Sequence, residues 1–230
     1  MRARLLHISA FCLALAALPA GQTAETGRVV GRIRLTTKVP GKPLASAAYP
    51  RRAVGDHEAP PQPEIRNVVV YIKDAVYRGS LPTSRAELRQ EHETFIPHTI
   101  AITRGSSVEF PNGDPFFHNV FSLSRAANFN LGRYARGLTR GREFIKAGTV
   151  KVYCDIHSHM SATILVFDHP YFAIPAVDGT FVLPAVPAGA YTLVGWHERV
   201  GERTEAIRVD AGKDTSIEVT VPVPVDGDVP

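Results

Sequence analysis

Short runs rich in Val, Ile, Tyr and Phe recur along most of the chain, and each is cut off by Gly, Pro, Asn or Asp: "GRVVGRIRL", "RNVVVYIKD", "HTIAITRG", "SSVEFPNGD", "GTVKVYC", "SATILVF", "GTFVLPAV", "AYTLVGW", "EAIRVDAG" and "SIEVTVPV". β-Branched and aromatic side chains suit a half-buried pleated surface, and the turn residues end each run after a strand's length. No heptad, internal repeat or low-complexity tract competes with this pattern. Many short strands between turn signals build sandwiches or barrels, so the chain is expected to be all-β.

Two segments stand apart. The stretch "VPGKPLASAAYPRRAVGDHEAPPQPE" is rich in Pro, Ala and charge and has no period, which reads as a long surface loop. "SRAELRQE" carries two signals: Ser84 followed by Glu87 forms a capping box for a helical turn, whereas Ala86, Leu88 and Gln90 alternate as in a strand. The strand reading is preferred.

The N-terminus sets the chemical context. Arg2 and Arg4, an apolar run from Ile8 to Leu18 and the small-residue site "ALPAGQ" read as a secretory signal peptide over residues 1–20, cleaved after Ala20 with Ala24 as the alternative. The apolar run is too short to span a bilayer as a helix, and Phe11 argues against lipid attachment at Cys12. Cys12 leaves with this leader, so of two cysteines the mature chain keeps one, Cys154. Exported proteins spend cysteines in pairs, so a lone thiol is buried and inert, joined to another chain, or bound to a metal. The expected location is the periplasm. About 210 residues then remain, enough for one large or two modest domains.

Loss of the leader leaves 24 basic against 22 acidic side chains, a formal charge of +2, which excludes bulk nucleic-acid binding. The charge is uneven: residues 125–151 hold seven Lys or Arg and one acid, Glu143. This run reads first as a solvated loop surface and second as a face that could guide an acidic partner protein.

The stretch "VKVYCDIHSHMSATILV" holds the chemistry. Cys154 ends an alternating strand and shares a face with Val150 and Val152, which directs its sulfur inward. His157 and Met160 follow in a C-x2-H-x2-M loop that can return all three side chains to one point. Burial alone explains an inert thiol but not a His and a Met at loop spacing, and Met160 is one of two methionines, the other being the initiator. A fourth ligand must come from elsewhere, and His118 in "VEFPNGDPFFHNVFS" is the candidate. Thiolate, two imidazoles and a weak thioether are the ligand set of a blue-copper site. Thiolate donates strongly to copper, neutral imidazoles hold Cu(II) without charge repulsion, and the soft thioether suits Cu(I).

"HNVFS" after "FPNGD", then "LGRY", "EFIKAGTVKVYC" and "CDIHSHM", resemble a cupredoxin domain, and the loop spacing is similar to that of the amicyanins. From Phe95 to Glu198 the chain also resembles bacterial proteins often labelled methylamine utilization proteins, although no residue identifies that metabolism. The resemblance implies a cupredoxin Greek-key β-sandwich, copper held by His118, Cys154, His157 and Met160, and a supporting role for Asn119, whose family counterpart ties the two ligand loops together. His159 stands where amicyanin has an aromatic residue; it is read as a surface residue near the site, able in principle to compete with His157.

"VDGTFVLPAVPAGAYTLVGWHE" resembles the carboxypeptidase-regulatory-like or transthyretin-like module, a second, Ig-like β-sandwich, and "GRVVGRIRL" and "RNVVVYIKD" look like its first strands. The expected division is a leader (1–20), N-terminal strands and loop (26–83) that belong to the second sandwich, a cupredoxin domain (84–169), the rest of the second sandwich (170–225) and a tail (226–230), with two consecutive domains as the alternative.

The function implied is electron transport between redox partner proteins, with a periplasmic copper chaperone or sensor as the alternative. An enzyme is not expected: multicopper oxidases need several His-X-His pairs, and His157-Ser158-His159 is the single such pattern. His92, His98, His169 and His197 receive no role, although the strand of His98 could approach the copper from behind.

Overall fold

The computed structural model describes residues 25–36 and 63–222. The expected leader, most of the Pro-rich loop and the tail lie outside the described residues. Seventeen strands and one 3-10 turn, Glu64–Asn67, make up the regular structure described. They are β1 (Thr26–Leu35), β2 (Val68–Ile72), β3 (Arg85–Glu87), β4 (Arg89–Glu91), β5 (Thr94–Ile96), β6 (Thr99–Thr103), β7 (Ser107–Pro111), β8 (His118–Ser124) and β9 (Ala127–Tyr134). Then come β10 (Thr139–Glu143), β11 (Gly148–Tyr153), β12 (Ser161–Phe167), β13 (Phe172–Ala173), β14 (Thr180–Pro187), β15 (Gly189–His197), β16 (Gly201–Val209) and β17 (Asp214–Val221). "SRAELRQE" forms β3 and β4, with Leu88 buried between them and Gln90 buried on the same alternation.

Two hydrophobic cores form. The first draws its buried residues from Leu88 to Val166 and lies between a three-stranded sheet, β10-β7-β3, and a five-stranded sheet, β6-β12-β11-β8-β9. Alternation builds it: Val108 and Phe110 point inward from β7, Val150 and Val152 from β11, and Ala162, Ile164 and Val166 from β12. Burying each of the larger side chains contributes about 1.5–3 kcal/mol. The second core takes residues from both ends of the described chain, among them Val29, Ile33, Val68, Val70, Ile72, Leu183, Leu193, Val209 and Val219. It lies between sheets β14-β1-β17 and β13-β2-β15-β16.

In the first of these sheets β1 is central, antiparallel to β14 and parallel to β17. Gly31 marks a close approach: a Cβ there would lie 2.3 Å from the Ile217 carbonyl oxygen and 2.7 Å from the Phe181 ring. Any larger residue would push β17 or Phe181 away.

The two cores meet along a polar seam. Glu198, in the turn between β15 and β16, accepts hydrogen bonds from Thr163 Oγ1 at 2.8 Å and His98 Nε2 at 2.9 Å, and pairs with Lys151. His98 thus faces the seam, with its ring nitrogen committed to Glu198, rather than the back of a metal centre. Lys151, counted in the basic run, is turned into the same seam. Tyr71 packs on Phe167 beside it, with ring centroids 4.9 Å apart. Among the described residues, no helix is long and apolar enough to cross a membrane.

Candidate metal centre

His118, Cys154 and His157 converge at one end of the first core. His118 opens β8, which lies between β11 and the edge strand β9 in the five-stranded sheet, so its ring enters the core from a strand end. Cys154 directly follows β11 and is buried, as its alternation with Val150 and Val152 demands. The segment from Cys154 to Met160 closes on itself, with Cys154 N–H donating to the Met160 carbonyl at 3.4 Å and Met160 N–H to the His157 carbonyl at 2.9 Å. That closure returns His157 to the sulfur from which the loop departed. Met160 sits at the neck of the loop, fully buried in the core that also holds Cys154.

The donor atoms are close together. Cys154 Sγ lies 3.7 Å from His118 Nδ1 and 3.9 Å from His157 Nδ1, and the two Nδ1 atoms are 3.1 Å apart. An ion about 2.3 Å from sulfur and about 2.0 Å from each nitrogen would hold trigonal donors at about 3.7 Å (S to N) and about 3.5 Å (N to N). The three side chains therefore fit one small metal ion without moving far. Phe116 covers both imidazoles, its ring centroid 5.2 Å from that of His118 and 5.2 Å from that of His157.

The electrostatics favour a thiolate. Burial pushes the Cys154 thiol up, but the bond to His118 and the backbone N–H groups of Asn119, His157 and Ile156 outweigh it and bring the thiol below its ordinary value. Burial likewise pulls His118 down, yet its bonds to Asp114 and Cys154 prevail and hold it at about 9. His157 is lowered by burial and by the charge of His118. A lowered thiol beside two imidazoles is a donor set suited to a cation, which would take the place of the His118 Nδ1 proton.

Asn119 is buried and meets Cys154 through its backbone N–H, while its side-chain Oδ1 has no hydrogen-bond partner. His159 lies at the rim, its ring centroid 6.2 Å from that of His157 and its Nε2 3.4 Å from Glu93 Oε2. One contributor carries no mark in the sequence: Asp114, four residues before His118 in "FPNGD", accepts from His118 Nε2 at 2.8 Å. Phe116 and Phe117, adjacent to His118, are the aromatic neighbours the sequence offers for an apolar patch beside His157, and Phe116 packs over both rings.

Around the half-exposed His157 the surface is mixed. Phe117 and Leu138 are each 56% exposed and Ile156 39%, and the loops bearing the first two are joined by Asn112, which donates to the Leu138 carbonyl at 3.0 Å and the Phe116 carbonyl at 2.9 Å. Arg133 pairs with Asp155 at 3.4 Å, and the Arg140 guanidinium lies 5.3 Å from the Tyr134 ring centroid.

No protein-family model matches the chain, and no curated protein matches it. Among solved structures it is similar to the amicyanin of Paracoccus versutus, at 17% identity over 43% of this chain and 97% of that one, with a TM-score of 0.33. A purple cupredoxin from Nitrosopumilus maritimus matches at 21% identity over 36% of this chain and 99% of that one, TM-score 0.33. The copper-containing nitrite reductase of Thermus scotoductus SA-01 matches at 24% identity over 41% of this chain and 24% of that one, TM-score 0.34.

Proposed function

We propose that this chain is a periplasmic blue-copper electron-transfer protein, with His118, Cys154, His157 and Met160 as ligands, that exchanges electrons with partner redox proteins. The observation that carries the reading is the gathering of one depressed thiol and two Nδ1 atoms within 3.9 Å of one another. A His2Cys trigonal set with a weak thioether is the donor arrangement of blue-copper sites, where bound copper supplies a one-electron couple. The chain's part is to hold those donors still: His118 and Cys154 are anchored at strand ends, the Cys154–Met160 loop is closed by its own backbone bonds, and Phe116 packs against both rings. Little rearrangement between oxidation states means a low barrier to electron transfer. Asn119 supports the thiolate through its backbone N–H.

The proposed domain division follows the two cores: residues 84–169 form the copper-bearing sandwich, inserted into a second sandwich built from 26–83 and 170–225, which serves as a structural or docking module.

Anaerobic titration with Cu(II), on protein recovered from the periplasmic fraction and beginning at Gly21, is the test. The expected product is intensely blue and bleaches reversibly with a mild reductant. A colourless, tight Cu(I) complex would favour a copper chaperone or sensor instead.

The exposed edge of His157, with Phe117, Ile156 and Leu138 near it, is the proposed electron port, and Arg133, Arg136 and Arg140 favour an acidic partner. Oxidation of the reduced protein by anionic hexacyanoferrate(III) should therefore slow as ionic strength rises, while a cationic cobalt(III) phenanthroline complex shows no such slowing. Equal salt responses for the two oxidants would remove the arginines from the port.

A further inference from the structure

Asp114 is the most heavily engaged side chain behind the site. Its carboxylate is almost wholly buried and accepts three hydrogen bonds: from His118 Nε2 at 2.8 Å, from the His92 N–H at 2.7 Å and from the Glu93 N–H at 3.0 Å. Its own N–H donates to Asn112 Oδ1 at 2.9 Å, which closes the "FPNGD" turn. His92 and Glu93 connect β4 to β5 with φ of 57° and 53°, left-handed values that residues other than Gly rarely adopt. That conformation aims two successive N–H groups at the two oxygens of one carboxylate. The same turn reaches the other ligand segment, because Glu93 Oε2 lies 3.4 Å from Nε2 of His159 in the Cys154–Met160 loop.

We propose that Asp114, gripped by the His92–Glu93 turn, is the positioning residue of this site: it holds the His118 ring by Nε2–H, so that Nδ1 faces Cys154 and His157, and its charge strengthens that imidazole as a donor. The inference rests on the copper reading above. A histidine offers two nitrogens, and the bond made by one decides which remains free for a metal. A carboxylate on the far nitrogen makes the imidazole a stronger donor, which favours Cu(II) over Cu(I) and lowers the reduction potential. Three donors facing its two oxygens are the surroundings of an ionised carboxylate.

The test compares the full-length wild type with Asp114→Asn, which keeps an acceptor but loses the charge, and Asp114→Ala, which loses both. Chelator competition measures the affinity for each oxidation state, and spectroelectrochemistry measures the potential. In Asp114→Ala, Cu(II) affinity should fall roughly 10–100-fold, with a smaller effect on Cu(I). Each tenfold change in the ratio appears as about 59 mV in a one-electron potential. Asp114→Asn should keep the wild-type absorption and a potential between the two. Should the alanine variant not fold, the asparagine variant carries the test, and a potential identical to wild type overturns the proposal. Wild-type protein that binds no copper would instead sink the copper reading. In that event the His118 Nε2–H proton resonance still tests the grip: it should be protected from exchange in wild type, less so in Asp114→Asn and unprotected in Asp114→Ala, and equal exchange in all three refutes it.

Discussion

Cys154→Ser yields a folded protein that stays colourless with Cu(II), whereas Met160→Leu stays blue and has a higher reduction potential. The colour of such a site comes from charge transfer out of the thiolate, and a serine hydroxyl provides none. The fold should survive, because serine is similar in size and can still accept from the backbone N–H groups of Asn119, Ile156 and His157 that surround the sulfur. Leucine at 160 fills nearly the same buried volume, so its effect is electronic. Against an oxygen ligand a thioether favours Cu(I); against no ligand at all it still stabilises Cu(II), so its removal raises the potential. Visible absorption and voltammetry on the two variants decide the matter. A blue serine variant would end the thiolate assignment, and an unchanged potential in the leucine variant would take Met160 out of the site.

Glu198→Gln lowers stability at pH 7 by about 2–3 kcal/mol, roughly 5–10 °C in Tm for a chain of this size, and the gap to wild type closes in acid. Burial pushes the Glu198 carboxyl up, but the bonds from His98, Lys151 and Thr163 outweigh it and hold the group well below the usual carboxylate range. A depressed folded-state value contributes stability above the unfolded-state value of about 4.3, and that contribution fades as pH falls further toward the folded one. The variant lacks the charge at every pH, so wild type should lose its advantage between about pH 4 and the acid limit of the fold. Thermal melts at pH 7 and pH 3 test this, and a gap of equal size at both would refute the linkage. The same melts bear on the proposed inserted-domain arrangement. If Glu198 couples two domains, its loss should turn one cooperative transition into two, whereas a single transition in the variant would favour one continuous unit.

Much of the strand pattern is legible from local alternation, since "GTVKVYC" and "SATILVF" carry inward and outward faces in their own composition. β10, "TRGRE", carries no such signal: it has little buried surface and becomes a strand because β7 pairs with it from Thr139 to Glu143. The Cys154 loop could be read because its members are contiguous. The role of Asp114 could not, because two of its three partners are backbone N–H groups of a turn more than twenty residues upstream. His98 illustrates the same limit. Its place in the chain gives it no role and leaves its strand free to approach the metal from behind, yet its partner, Glu198, lies a hundred residues away in the chain.

Sequence alone determined the all-β class, the inward sulfur of Cys154 and the spacing of His157 and Met160 after it, because side-chain alternation and loop length are local properties of the backbone. Tertiary structure decided which distant groups meet: His118 with Cys154 and His157, Asp114 with the His92–Glu93 turn, and Glu198 with Lys151, Thr163 and His98. Those pairings depend on sheet register and on how two cores abut. Polar side chains carry no periodic mark of the partner that will satisfy them once water is removed.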